Sequence, residues 1–444
     1  MTKLASAKGS NPGAAIALAA VTIAVGFLTA ACQEAAPPTA QGTASPGAAA
    51  TATADTKGLK LGSLLPATGD LGSIGQQMIA TVPLLVDTVN KCGGVNGEPV
   101  TLTSVDDQTE PSAGTEGMTK LAEVDKVAGV VGSFASSVST AALPIAIRNK
   151  VVLISPGSTS PVFTQQAKEG KFQGYWARTA PPDTYQAQAL AKLAIERGFK
   201  TAGTVVINND YGVGFEKEFK QAFEKLGGTI TNNSKPTRYD PKATTFTTEA
   251  SAAFAGKPQA VAAVLYAETG GLIVKSAFEQ GASKGTQLLL TDGVYSPDFV
   301  AKVGKTSDGK SILAGAIGTV PGANGKALDA FAKLWKEKQN RPLAPYAAHS
   351  WDAAAILVLA AQSAKSNTGD GIKSKLREVT NAPGTEVTDV CQGLDLLRKG
   401  QKINYQGASG NVDIDENGDV VGNYDVWTVK DDGSLGVIGK VSPQ

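Results

Sequence analysis

Histidine, cysteine and methionine are scarce in this chain, with one, three and three residues in 444, and aromatic residues make up only 6%. The single histidine, His349, lies in a helical stretch two residues before Trp351, and neither a C-x-x-C nor an H-E-x-x-H pattern occurs. A dedicated metal centre and histidine-based hydrolysis therefore have no carriers, and no cofactor is expected, although carboxylates distant in sequence can still meet in a cleft. Charge of one sign is missing too: 41 Lys and Arg face 40 Asp and Glu, without a block of like charge. That excludes a nucleic-acid or polybasic membrane surface and leaves a small solute or another protein as partner. Beyond the N-terminus no apolar run is long enough to span a bilayer, which takes about twenty residues.

What is present begins with an export signal over residues 1–31. Lys3 and Lys8 precede an apolar run from Ala14 to Leu28, and the small residues Thr29, Ala30 and Ala31 lead to Cys32. Leu28-Thr29-Ala30-Ala31-Cys32 resembles a bacterial lipobox, which implies lipidation at Cys32 and anchoring by more than one acyl chain at the outer face of the cytoplasmic membrane. Thr29 departs from the usual Leu, Val or Ile, so simple secretion is the alternative. Residues 32–57 are mostly Ala, Thr, Pro, Gly, Ser and Gln. They lack the apolar bulk for a core and read as a tether, with a reach of roughly 25–30 Å for a flexible coil of that length. Cys92 and Cys391 remain for the body, and in an oxidising compartment a disulfide is their natural pairing, with two buried thiols as the alternative.

From Leu59 onward, short apolar runs alternate with amphipathic stretches. Strands are expected at Leu59–Leu65, Val100–Asp106, Val127–Val131 and Val151–Ile154, and helices at Gln76–Asn90, Ala113–Glu123 and Ser139–Arg148. Pro83 should kink the first helix or shift its start. The pattern restarts after Tyr175–Arg178 with strands at Thr201–Ile207, Ala260–Tyr266 and Gln287–Thr291. The expected class is α/β, two doubly wound parallel-sheet lobes. A chain of this length has room for two such units and a cleft between them.

Two motifs fail on context. Gly304 to Ser311 spells G-x-x-x-x-G-K-S, but a short helix precedes it and the strand-like Ile312–Val320 follows, the reverse of what phosphate binding needs. Asp413-x-Asp415-x-Asn417-Gly418 copies the start of a calcium loop, yet Tyr424 stands where a bidentate Glu should close it. Asn417-Gly418 reads instead as a hairpin turn.

The positive signal is a pair of hydroxyl clusters at strand ends, Ser133-Phe134-Ala135-Ser136-Ser137 and Ser155-Pro156-Gly157-Ser158-Thr159. Ligands of open α/β sheets sit outside the carboxyl ends of strands, where helix N-termini offer free N–H groups, and hydroxyls beside them suit a carboxylate.

These segments, with Leu64 to Gly69, Gly93-Gly94-Val95-Asn96-Gly97, Asp106-Asp107, Asn209-Asp210-Tyr211-Gly212 and Tyr405 to Gly410, resemble the type I periplasmic binding proteins of the branched-chain amino-acid family from Leu59 to Val429. The resemblance implies that Ser136 and Thr159 hold the α-carboxylate, with Ser137 and Ser158 beside them. It also implies that the Gly157 carbonyl and Asp292 take the ammonium and that Tyr211 and Tyr266 close over the ligand. Ile74 occupies a position that is often aromatic, and Asp292 one that is often Glu. Three crossings are implied, near Tyr175–Ala180, Val300–Gly315 and Asn404–Gly410. They divide the body into lobe one, residues 58–177 plus 310–405, and lobe two, residues 178–309 plus 406–444. The implied function is that of a monomeric, non-enzymatic solute-binding component serving an ABC permease and its ATPase. A short amide, urea or aromatic acid as ligand, and a sensory role, are the competing readings.

Overall fold

The computed structural model describes residues 58–442. The export signal, Cys32 and the tether lie outside the described residues. Five strands form the first sheet: β1 (Lys60–Leu65), β2 (Thr101–Asp106), β3 (Gly129–Gly132), β4 (Val152–Ser155) and β5 (Trp176–Arg178), in the order β2-β1-β3-β4-β5. All pairings in it are parallel. The central strands β3 and β4 are buried at every residue, as helix-covered parallel strands must be, whereas the edge strand β2 is partly exposed along its length.

The second sheet takes β6 (Thr201–Ile207), β7 (Thr229–Ile230), β8 (Thr237–Tyr239), β9 (Ala260–Val264), β10 (Gln287–Leu290) and β11 (Ile317–Pro321). A short ribbon, β12 (Thr385–Val387) with β13 (Ile403–Tyr405), precedes β14 (Tyr424–Val429) and β15 (Leu435–Val441), which close the second sheet, β14 antiparallel to β11 and β15 antiparallel to β14. Burial in β9 is complete over Ala260–Val264, so its small side chains let helices approach both faces.

The helix Gly72–Lys91 runs on through Pro83, because that residue faces solvent and water can take the carbonyl left without its N–H partner. Helix Ala347–Ala364 is buried from Ala347 to Gln362 and packs on β3, β4 and helix Gly72–Lys91. Late sequence thus completes the first lobe. Cys92 and Cys391 are bonded, with Cα atoms 5.8 Å apart, and tie the end of helix Gly72–Lys91 to helix Val390–Arg398.

One expected boundary moves. Ile317–Pro321, assigned from sequence to lobe one, pairs with β10 on one side and β14 on the other, so the chain leaves the second sheet after Pro321 and not near Val300–Gly315. Every residue of that strand is buried, and only a position inside the sheet satisfies its backbone on both edges. The Asn417-Gly418 segment makes a turn, as its residues suggest, but no strands flank it. Its polar groups turn instead to Arg178: the Gly418 carbonyl accepts from Arg178 N at 2.9 Å, and Asp419 Oδ1 lies 2.7 Å from Arg178 Nε. The phosphate-loop look-alike is an exposed turn whose Gly304 (φ 93°) ends helix Pro297–Val303.

Candidate ligand site between the lobes

The first wall of the site forms where β3 and β4 end. Helix Ser136–Arg148 starts at the first of these ends, so the N–H groups of Ser136 and Ser137 belong to the turn that a helix leaves without internal acceptors. Ser136 is buried, and its Oγ accepts from Ser160 N at 3.2 Å, leaving the hydroxyl proton to donate. The second loop is locked by Ser155, whose Oγ accepts from Gly157 N (3.2 Å) and Ser158 N (2.8 Å) and donates to the Ser133 carbonyl (2.5 Å). A Cβ on Gly157 would stand 2.1 Å from the Phe134 ring, so only glycine lets the two loops meet.

Ser158 turns away from the cleft. Its Oγ lies 2.8 Å from Ser139 Oγ and 3.0 and 3.1 Å from the carbonyls of Ser133 and Phe134, so its hydroxyl joins the two strand-end loops. Arg178, fully buried, supports the same loop: Nη1 donates to the carbonyls of Ser158 and Ser160, both at 3.0 Å, and Nη2 to Thr164 Oγ1 at 2.8 Å.

The second wall follows β10. Asp292 is buried, and both carboxylate oxygens are partnered: Oδ1 accepts from Gln186 Nε2 (2.8 Å) and the Tyr211 hydroxyl (3.1 Å), and Oδ2 from the Tyr346 hydroxyl (2.6 Å). Burial pushes its carboxyl above the ordinary carboxylate range, and these hydrogen bonds pull it back in part. The rings of Tyr211 and Tyr266 stack at 5.8 Å and 11°, and Tyr346 meets Phe134 edge-on at 4.7 Å. The phenols of Tyr211, Tyr266 and Tyr346 are held well above their usual range by burial, and hence neutral, able to donate.

Ser136, Gly157, Tyr211, Tyr266 and Asp292 line one internal cavity together with Phe134. Its volume is about 10 Å³, the size of a single water, so the lobes are closed with their walls almost in contact. Ser137 is half-buried and lines a wider cavity of about 650 Å³ toward the mouth, along with Asp70, Glu110, Lys242, Tyr266 and Glu268. There the lobes clasp: Asp70 Oδ1 accepts from Thr269 N (2.8 Å), its Oδ2 from Thr269 Oγ1 (2.6 Å), and Lys242 Nζ lies 3.3 Å from Glu110. Thr159 is buried beside the first wall, its carbonyl accepting from Asp183 N at 2.8 Å. Ile74 lies in the hydrophobic core and lines neither cavity.

Sequence reasoning missed Asp183, Gln186 and Tyr346. Asp183 and Gln186 stand three apart at the start of helix Asp183–Glu196 and so share a face, a spacing that does single them out once the helix is known to open on the cleft. Tyr346 carries no such signal: it sits just before helix Ala347–Ala364 with φ 71°, a left-handed conformation rarely adopted by a bulky residue.

Known proteins repeat this architecture. The "Chemotactic signal transduction system substrate-binding protein BasB" of Halobacterium salinarum is 26% identical over 80% of this chain and 83% of its own length. A "Leu/Ile/Val-binding protein homolog 1" of Brucella abortus is 28% identical over 71% of this chain and 81% of its own. The crystal structure of a leucine-binding protein from Thermotoga maritima superposes with a TM-score of 0.72 at 26% identity, covering 87% of this chain and 99% of that one. The family model described as "Receptor family ligand binding region" matches residues 78–432, so the chain belongs to that family, with the fold of the type I periplasmic binding proteins.

Proposed function

We propose that this chain is the extracytoplasmic solute-binding component of an ABC importer and captures a neutral amino acid, branched-chain ones among them, in its inter-lobe cleft. One observation carries the reading: unclaimed helix N–H groups and the Ser136 hydroxyl on one wall face the buried Asp292 carboxylate on the other across a water-sized gap. An α-amino acid presents those charges in reverse, carboxylate to the donors and ammonium to the carboxylate. Thr159 and the Gly157 carbonyl complete the α-carboxylate and ammonium contacts, Ser137 guards the entrance, and Tyr211 and Tyr266 cover the bound molecule. Ser158 serves by shaping the loop, and Ile74 by its bulk behind the wall. The names of the Brucella and Thermotoga relatives support the ligand class.

On this reading lobe one comprises residues 58–177 and about 322–405, and lobe two the remainder of the body. Residues 1–31 direct export, Cys32 is lipidated, and residues 32–57 let a monomeric receptor reach a permease and its ATPase. The substrate-binding relative of a chemotactic system favours a second reading, in which the closed lobes signal instead of delivering cargo.

Calorimetric titration of the mature protein against the common amino acids, short amides, urea and aromatic acids tests the ligand class. Tightest binding of a neutral amino acid is expected, and tightest binding of an amide or an aromatic acid would replace the reading. A Cys32→Ala variant should appear in the medium or periplasm instead of the membrane fraction. Deleting the receptor should abolish uptake while leaving chemotaxis intact; the reverse outcome favours the sensor.

A further inference from the structure

Tyr346, whose hydroxyl holds Asp292, also lines a separate cavity of about 230 Å³ where the chain leaves the second sheet. That volume is many times the roughly 10–15 Å³ that admits one water, and it has room for a small molecule. Its walls come from two sides. Val320 ends β11, and Asp425 and Val437 belong to β14 and β15 of the second sheet. Leu328, Leu343, Ala348 and His349 belong to the stretch that runs into helix Ala347–Ala364, which packs on the first sheet. The cavity therefore sits at the hinge.

Its polar equipment is unused. Ala348 N and His349 N lie in the first turn of helix Ala347–Ala364, and nothing among the described residues accepts from them; Ser350 N is the next to find an acceptor, the Tyr346 carbonyl at 2.9 Å. Tyr346 stands in the cap position but sends its hydroxyl to Asp292, so no side chain covers this helix end. The imidazole of His349 makes the same point independently. It lines the cavity at 1% exposure, and its Nδ1 is buried with no hydrogen-bond partner. Native proteins rarely leave a buried polar atom in that state without a partner to receive. The charged residue of the lining is Asp425. Burial raises its carboxyl above the ordinary range, Lys440, its register partner on β15, acts on it through charge alone, and no donor among the described residues hydrogen-bonds to it. The Tyr295 phenol shares this lining and feels the charge of Asp425.

We propose that this hinge cavity is a second ligand site, for a zwitterion with a small apolar side chain. Its carboxylate would meet the free N–H groups of Ala348 and His349, its ammonium Asp425, and its side chain Val320, Leu328, Leu343 and Val437. The proposal goes beyond the reading of the cleft and does not rest on it. An acid without an amine would bring a second negative charge to Asp425, and an amine without a carboxylate would meet the positive end of the helix dipole and leave its N–H groups unused. Because the walls belong to two sheets, an occupant favours the arrangement of lobes in which the cavity exists, the closed one.

The test titrates L-leucine calorimetrically into the wild type, Val437→Phe, Asp425→Asn and Asp292→Ala, and 4-methylpentanoate, which lacks the amine, into Asp292→Ala. Val437 is 54% exposed on the edge strand β15, so a larger ring there fills the cavity without entering the core. The wild type should show two binding events per chain. Val437→Phe should lose the weaker event, and Asp425→Asn should weaken it by about 10-fold or more while the tighter one stays within about threefold. In Asp292→Ala the weaker event should persist, and 4-methylpentanoate should fill that site about 10-fold less well than leucine. Melting curves check that each variant is folded; Asp425→Asn, which keeps the side-chain shape, carries the test if Val437→Phe is not. A single event that Asp292→Ala loses and Val437→Phe keeps overturns the hinge site and leaves the cleft reading in place. A single event that Asp292→Ala keeps and Val437→Phe loses upholds the hinge site and sinks the cleft reading. A weaker event unchanged in both Val437→Phe and Asp425→Asn overturns the proposal, as does equal binding of the acid and leucine in Asp292→Ala.

Discussion

The two walls of the cleft are built from different materials. The first sheet contributes backbone N–H groups, a glycine and short hydroxyls at loops fastened to their own lobe by Ser155, Ser158 and Arg178. Rings and carboxylates come from the other side, where Tyr211, Tyr266, Asp292 and Asp183 are buried. A donor wall and an acceptor wall orient a zwitterion in one sense only, since reversing it would set carboxylate against carboxylate. They also differ in how complete they are without ligand. The donor wall has its internal hydrogen bonds in place, whereas the acceptor wall retains Gln186 Oε1 without a partner.

Breaking the support of the donor wall should have the largest effect. Arg178→Leu leaves Asp419 buried without its cation and frees two loop carbonyls, so a loss of about 3–5 kcal/mol in urea denaturation is expected. An intact stability would mean that the wall stands without its strut. Removing the acceptor of the other wall comes next. Asp292→Ala should weaken amino-acid binding by about 2–5 kcal/mol in calorimetry, with the fold retained. Loss of that size on one wall, against small losses from single hydroxyls on the other, is what the contrast requires.

A third test probes the seam. His349 is fully buried beside Tyr346, and its carbonyl accepts from Thr179 Oγ1 at 2.8 Å. Burial lowers its imidazole from 6.5 to about 4. The unfolded chain then binds the proton more readily between those values, so stability rises with pH across the window and is lost as pH falls through it. Asp107 and Asp352, raised by burial to about 6, act in the opposite sense over an overlapping range. The wild type minus His349→Gln difference in denaturation free energy isolates the histidine, and it should grow by up to roughly 3 kcal/mol from pH 4 to 6.5. A flat difference would show that His349 does not titrate with folding.

Smaller effects sharpen the picture. Ser136→Ala should cost about 1 kcal/mol of binding, because one donor of several is removed. Asp70→Ala removes the side chain that caps helix Ala267–Glu279 from across the cleft. A loss of about 1 kcal/mol or less, seen as faster ligand release in stopped-flow measurements, is expected. Unchanged release would mean that the mouth clasp adds nothing to closure.

Much of this arrangement is legible in residue order. The alternation of short apolar runs with amphipathic stretches, and hydroxyl clusters at strand ends, place Ser136 and Gly157 at the cleft before any coordinates are known. Asp292 is legible through its position after a strand and its likeness to relatives. Tyr346 is not, because its bond to Asp292 spans 54 residues and its backbone conformation belongs to no regular pattern. Ser158 reads as a ligand contact beside Thr159, yet its hydroxyl faces inward, a choice made by two carbonyls from a different loop.

By itself, then, the sequence determined the α/β class, two repeating units and the residue types at the strand ends, because periodicity and turn chemistry act over a few residues. Tertiary structure alone decided that Ile317–Pro321 closes the second sheet, that Cys92 meets Cys391, and that Asp183 and Gln186 converge behind Asp292. Each of those depends on hydrogen bonds, a covalent bond or burial between segments far apart in the chain. Such partners leave no local period, and only the packed lobes bring them within reach.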